Sequence, residues 1–177
     1  MKEKRGLWAV VLVFIGLVFT TGCADTRLSE TIIAYTIINA PPERAWDYMF
    51  KQGEGCVLDQ SGEKYVCERW PELEVTDLQG EGVGQTYNWT FQKYRGEGVV
   101  AVNIPNRKRV DIWSGDMDCT TTVLMAPHEK GTKFIMILEY SLDLPKGTGI
   151  LKKQAAKEME KNTDQALKVI KEKVEGK

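Results

Sequence analysis

Hydrophobic and polar positions fall into three regimes along the chain. Residues 31–38, Thr-Ile-Ile-Ala-Tyr-Thr-Ile-Ile, are a run of β-branched and aromatic residues that predicts a strand. Pro41 and Pro42 end it, since proline cannot donate within a ladder yet is tolerated in the first turn of a helix. Immediately afterwards Ala45, Trp46, Met49 and Phe50 share one helical face, while Glu43, Arg44, Asp47 and Lys51 occupy the other. A short amphipathic helix is therefore expected to start without a loop, with Glu43 at its positive end.

Residues 52–65 are polar and contain glycine, which predicts a loop or a broken short helix. From Trp70 the period becomes two. Leu73 to Leu78 alternates weakly, and residues 79–84, Gln-Gly-Glu-Gly-Val-Gly, read as a turn. No Lys-Ser/Thr follows them as a phosphate cradle would need. Tyr87, Trp89 and Phe91 then share one face, followed by Val100, Val102 and Ile104, by Val110 and Ile112, and by Thr121, Val123 and Met125. The longest one-sided stripe is Phe134, Met136, Leu138, Tyr140, Leu142 and Leu144. Strands joined by short turns with one apolar face predict a twisted antiparallel sheet. In the third regime Leu151, Ala155, Met159, Ala166, Ile170 and Val174 recur at helical spacing, supplemented by Ile150 and Leu167. They predict a helix over roughly 149–175, about 40 Å long and able to cross a whole sheet.

The order is strand, short helix, polar segment, about six strands, long helix. Three stretches, "TIINAPPERAWDYMF", "GVGQTYNWTF" and the Gly131-Thr132 turn with "GILKKQAAKEMEKNTDQALKVIKEKVE", resemble the START-related SRPBCC superfamily in its polyketide cyclase and lipid-transport branch. The resemblance covers about residues 30–175 and departs from the family's pattern in the insert 52–67. It implies an α+β helix-grip fold: a bent antiparallel sheet of about seven strands around the C-terminal helix, one end plugged by the short helix. It also implies a hydrophobic cavity.

The N-terminus is a different material. Lys2, Lys4 and Arg5 precede an uncharged apolar run at 7–19, the layout of a secretory signal and too short for a bilayer core that needs roughly 20 residues. Gly22-Cys23 resembles the lipobox of bacterial lipoproteins, although Thr20 stands where that pattern prefers Leu. The expected organisation is a signal at 1–22, a tether at 23–29 carrying an acylated Cys23, and one domain at 30–175. That places the protein in the cell envelope, on a periplasmic or outer face, held to the membrane by lipid. Removing 22 of 177 residues leaves 155, with 21 basic against 24 acidic residues, net −3. No basic surplus argues for nucleic acid, and no polybasic run for electrostatic docking to a membrane.

Cys56 and Cys67 flank "VLDQSGEKYV" and could staple it in an oxidising compartment, with reduced thiols as the alternative, because spacing proves no geometry. Cys119 reads as a core residue. No CxxC is present and His128 is the only histidine, so neither a metal nor a cofactor is expected.

Three functions follow. The first is binding of an apolar small molecule or lipid, with Tyr87, Trp89 and Phe91, then Val102, Ile112 and Val123, then Met136, Leu138, Tyr140 and Met159 as the lining. The same stripe would equally fill an ordinary core. The second is a cyclase- or dehydratase-like enzyme in the same cavity. However, His128 sits in a turn, no nucleophile–base pair can be assembled, and Asp111 and Glu139 are expected on a solvated face. The third is a structural or partner-binding envelope lipoprotein.

Overall fold

The computed structural model describes residues 27–51, 54–143 and 149–176, with side chains in the last helix from Lys152. The signal, Cys23, Leu144 and the side chains of Ile150 and Leu151 lie outside the described residues. The elements are β1 (Arg27–Ile38), α1 (Pro42–Phe50), β2 (Cys56–Leu58), β3 (Tyr65–Cys67), β4 (Trp70–Gln79), β5 (Thr86–Phe91), β6 (Tyr94–Ile104), β7 (Lys108–Gly115), β8 (Met117–His128), β9 (Gly131–Asp143) and α2 (Gly149–Glu175). The strands form one antiparallel sheet in the order β1-β9-β8-β7-β6-β5-β4-β3-β2. The curled sheet grips the C-terminal helix, which is the helix-grip arrangement.

Two features depart from the expectation. The sheet has nine strands rather than about seven, because residues expected to be loop form the hairpin β2–β3 and extend the sheet beyond β4. The first strand also begins at Arg27, inside the expected tether, with Leu28 buried against the core.

The double proline acts as its chemistry demands. Pro41 is extended at φ −68° and ψ 156°, and its carbonyl accepts from Arg44 N at 3.1 Å, so α1 starts on Pro42 without a side-chain cap. The sharp junction is held from outside. Buried Thr132 donates its hydroxyl to Ala40 O at 2.7 Å, and Asn39 N donates to Glu175 Oε1 at 2.9 Å. The β8–β9 turn approaches this junction so closely that a Cβ on Gly131 would sit 2.8 Å from Ala40 N, which leaves room only for glycine.

The core has two parts. In one, Ala45, Trp46 and Met49 of α1 meet Phe134, Met136 and Leu138 of β9 and Leu167, Ile170 and Val174 of α2. In the other, Tyr87, Trp89 and Phe91 of β5 meet Met117, Cys119, Tyr140 and Leu142, with Ala155 and Met159 of α2 packed alongside. Thr163 completes the helical stripe between Met159 and Ala166. It is fully buried and satisfies its hydroxyl on Met159 O at 2.8 Å.

Candidate ligand cavity

The space between α1, the β2–β3 hairpin, β4 and the inner face of β5–β8 encloses about 530 Å³. Trp46, Met49 and Phe50 of α1, Trp70, Leu73 and Val75 of β4, and Tyr87, Trp113 and Val123 of the sheet supply most of its wall. Arg69, Gln85, Asn103, Arg109, Asp111 and Thr121 add polar groups, and exposed Lys51 and Glu81 lie at its edge. An apolar wall with a few convergent polar groups is the usual make-up of a small-molecule site, and the volume falls in the common range of roughly 300–1,000 Å³. A shallower depression of about 590 Å³ near the β1 edge is ringed by Arg27, Glu30, Asp118 and Glu139 and lacks an apolar enclosure of this kind.

Asp111 corrects the expectation for β7. It pairs with Val100 and Thr121, both on the inner face, so Asp111 points inward and is buried. Val110 and Ile112 therefore face outward, and Ile112 is 44 % exposed. A one-residue change of phase exchanges every side chain between the two faces. Val102 is turned outward by a different device. The β6 register shifts between Val100 and Val102, so Val102 pairs with outward-facing Val110 and Asn103 enters the cavity instead.

The inward residues of β7 make a charged group. Arg109 donates to Asp111 from Nε and Nη2, each at 2.9 Å, and Tyr87 donates its hydroxyl to Asp111 Oδ1 at 3.1 Å. The Arg109 guanidinium also lies 4.7 Å from the centre of the Phe50 ring, tying β7 to α1. Burial, then the Asp111 charge, pushes the Tyr87 hydroxyl well above the usual tyrosine range, so it is a neutral donor at pH 7.

Arg69 is held by a separate route. It occupies the two-residue turn between β3 and β4, close behind Cys67, which is disulfide-bonded to Cys56. Its Nη2 donates to Met49 O at 3.1 Å, in the last turn of α1, where helix carbonyls favour a cation. Only 8 % of the residue is exposed, and its Nε and Nη1 have no hydrogen-bond partner among the described residues. Burial lowers its pKa to about 10, and the group remains charged at neutral pH. No carboxylate pairs with it among the described residues. The buried charges that these residues bring to the cavity are thus two guanidiniums against one carboxylate.

Of the residues expected to line a cavity, Tyr87 and Val123 do so. Trp89 and Phe91 are packed into the second part of the core, Trp89 stacked on Trp113 with ring centres 5.2 Å apart. Met136 and Leu138 are buried beneath α2, Tyr140 is buried at the far end of the sheet, and Met159 packs alongside that end. Val102 and Ile112 lie on the outer face. Sequence reasoning missed Arg69 and Arg109, and assigned Asp111 to the wrong face. The signals for them were a charged Glu68-Arg69 pair between the apolar Tyr65–Cys67 run and Trp70, and Trp113 in the phase opposite to Val110 and Ile112.

No family model matches the chain, and no curated protein matches its sequence. Solved structures share its fold. The crystal structure of TTHA0849 from Thermus thermophilus is 24 % identical, with a TM-score of 0.61, covering 82 % of this chain and 97 % of its own. DR_A0006 from Deinococcus radiodurans is 14 % identical, with a TM-score of 0.57, covering 82 % of this chain and 98 % of its own. Ara h 8.0201 is 12 % identical, with a TM-score of 0.57, covering 84 % of this chain and 99 % of its own. At these identities the likeness is one of fold.

Proposed function

We propose that the chain is an exported, lipid-anchored member of the SRPBCC superfamily that holds an apolar small molecule or lipid at a membrane surface. The observation that carries this reading is the cavity. Elsewhere the inner face of the sheet is filled by two core groups, yet about 530 Å³ beside α1 stays open, walled by large apolar and aromatic side chains. The charged n-region, the short apolar run and Gly22-Cys23 support export and acylation.

Fluorescence of N-phenyl-1-naphthylamine, an uncharged dye that brightens in apolar surroundings, tests the cavity. The purified mature chain is expected to bind it, and Val75→Trp, which fills the space, is expected to abolish binding with an unchanged circular dichroism spectrum. A mature chain that binds no dye and carries no apolar molecule in native mass spectra would sink the proposal. Labelling of cells with an alkynyl fatty acid tests the anchor, with signal expected on the native chain and none on Cys23→Ser.

A further inference from the structure

We propose that the ligand is an anionic amphiphile whose carboxylate, or similar oxyanion, binds the guanidinium of Arg69 at the cavity wall. This rests on the reading of the cavity as a ligand site and adds the chemical class of the ligand.

The argument begins from cost. A buried cation without a counter-charge is unfavourable, and buried guanidiniums are ordinarily paired or fully hydrogen-bonded. Arg109, on the same wall, follows that rule through its two-point contact with Asp111. Arg69 does not. It is more than nine-tenths buried and keeps one hydrogen bond, to Met49 O, while Nε and Nη1 are unpaired among the described residues. The fold spends several devices on keeping it there: the Cys56–Cys67 bridge, the tight β3–β4 turn, and the carbonyl end of α1. Asp111 acts on Arg69 only through its charge: its hydrogen bonds go to Arg109 and Tyr87, and it shares the one carboxylate between two guanidiniums.

The rest of the wall specifies what the anion is attached to. A bare inorganic ion would leave most of the 530 Å³ empty against Trp46, Phe50, Trp70 and Leu73, so the geometry calls for an apolar tail or ring behind the charged head. Guanidinium N–H groups suit carboxylate and phosphate oxygens, and hydrogen bonds to a charged acceptor in a dry site are the strong ones.

The experiment is displacement of N-phenyl-1-naphthylamine from the mature chain at pH 7 by decanoate, decyl sulfate and decanol, which share a tail and differ in head. Decanoate is expected to bind about tenfold or more tightly than decanol, as a charge-assisted hydrogen bond requires, with decyl sulfate also above decanol. In Arg69→Gln the decanoate-to-decanol ratio is expected to fall to near one. Arg69→Lys, which keeps the charge without the planar fork, should give an intermediate ratio, and Lys168→Gln, on the solvent side of α2, should leave it unchanged. Equal binding of decanoate and decanol by the native chain, or a ratio that survives Arg69→Gln, would overturn the anionic head while the dye still reports a ligand cavity. Failure of the dye to bind at all overturns both readings. Should Arg69→Gln fail to fold, the native ratio and Arg69→Lys decide the matter.

Discussion

Asp111→Asn separates the observed phase of β7 from the opposite one. On a solvated face the substitution would be nearly neutral, within about 0.5 kcal/mol. In the structure the Asp111 and Arg109 side chains are 11 % and 13 % exposed, and the carboxylate receives two guanidinium donors and the Tyr87 hydroxyl. Removing one member of such a pair leaves the other charge buried and uncompensated, which costs about 3–5 kcal/mol. Residual exposure of both partners, and the oxygen that asparagine keeps for Tyr87, favour the lower end. The expected loss is therefore about 3 kcal/mol, or a fall in Tm of roughly 6–12 °C for a chain of this size. Urea unfolding at pH 7, followed by far-ultraviolet circular dichroism, should show a lower midpoint with an unchanged slope. Adding Arg109→Met to Asp111→Asn should recover part of the loss, because it removes the stranded cation, whereas Arg109→Met alone should destabilise. A loss below about 1 kcal/mol for Asp111→Asn, with no coupling between the two sites, would refute the buried pair.

The remaining predictions concern the bridge, the bulge and the tyrosines. Cys56→Ser with Cys67→Ser should lower stability by about 3 kcal/mol in urea unfolding, the loop-entropy value for a separation of 11 residues; no change would show that the hairpin is already unfolded when the domain melts. Val100→Ala, at a fully buried inward position, should cost about 2 kcal/mol, whereas Ile112→Thr on the outer face should cost less than about 0.5 kcal/mol. Equal costs would contradict the faces assigned to β6 and β7. Stability should fall as pH rises above 10. Burial raises Tyr48 and Tyr140 to about 12 and Tyr87 further, so the unfolded chain releases phenolic protons that the folded chain retains. Arg69 opposes this trend, because its lowered pKa lets the folded chain release a proton first. Alkaline unfolding of Tyr87→Phe should show a shallower decline than that of the native chain, and an equal or steeper decline would contradict a raised Tyr87.

Apart from the β2–β3 hairpin, the elements and their order were legible because each follows from a local period. Two prolines dictate where β1 must end and α1 begin, and the four-residue steps from Ala155 to Val174 dictate a helix whatever it packs on. The stripes of β5, β8 and β9 were also read in the right phase, since β5 alternates cleanly and in β8 and β9 most of the large apolar groups share one phase. In β7 both phases carry large apolar groups, Val110 and Ile112 against Trp113, and only pairing with β6 and β8 selects one of them. The shift between Val100 and Val102 is a property of two strands together, so nothing within β6 alone announces it.

The sequence by itself determined a one-sided, twisted antiparallel sheet and a terminal helix long enough to cross it, because period and proline chemistry act over a few residues; the closing of one over the other was implied only by the family resemblance. Tertiary structure decided which apolar residues fill the core and which border an open space. It also turned the polar insert into a bridged hairpin that holds Arg69 beneath α1. Strand register, bulge position and burial arise from contacts between segments distant along the chain, and a buried cation with no carboxylate paired to it among the described residues becomes visible only once its neighbours are in place.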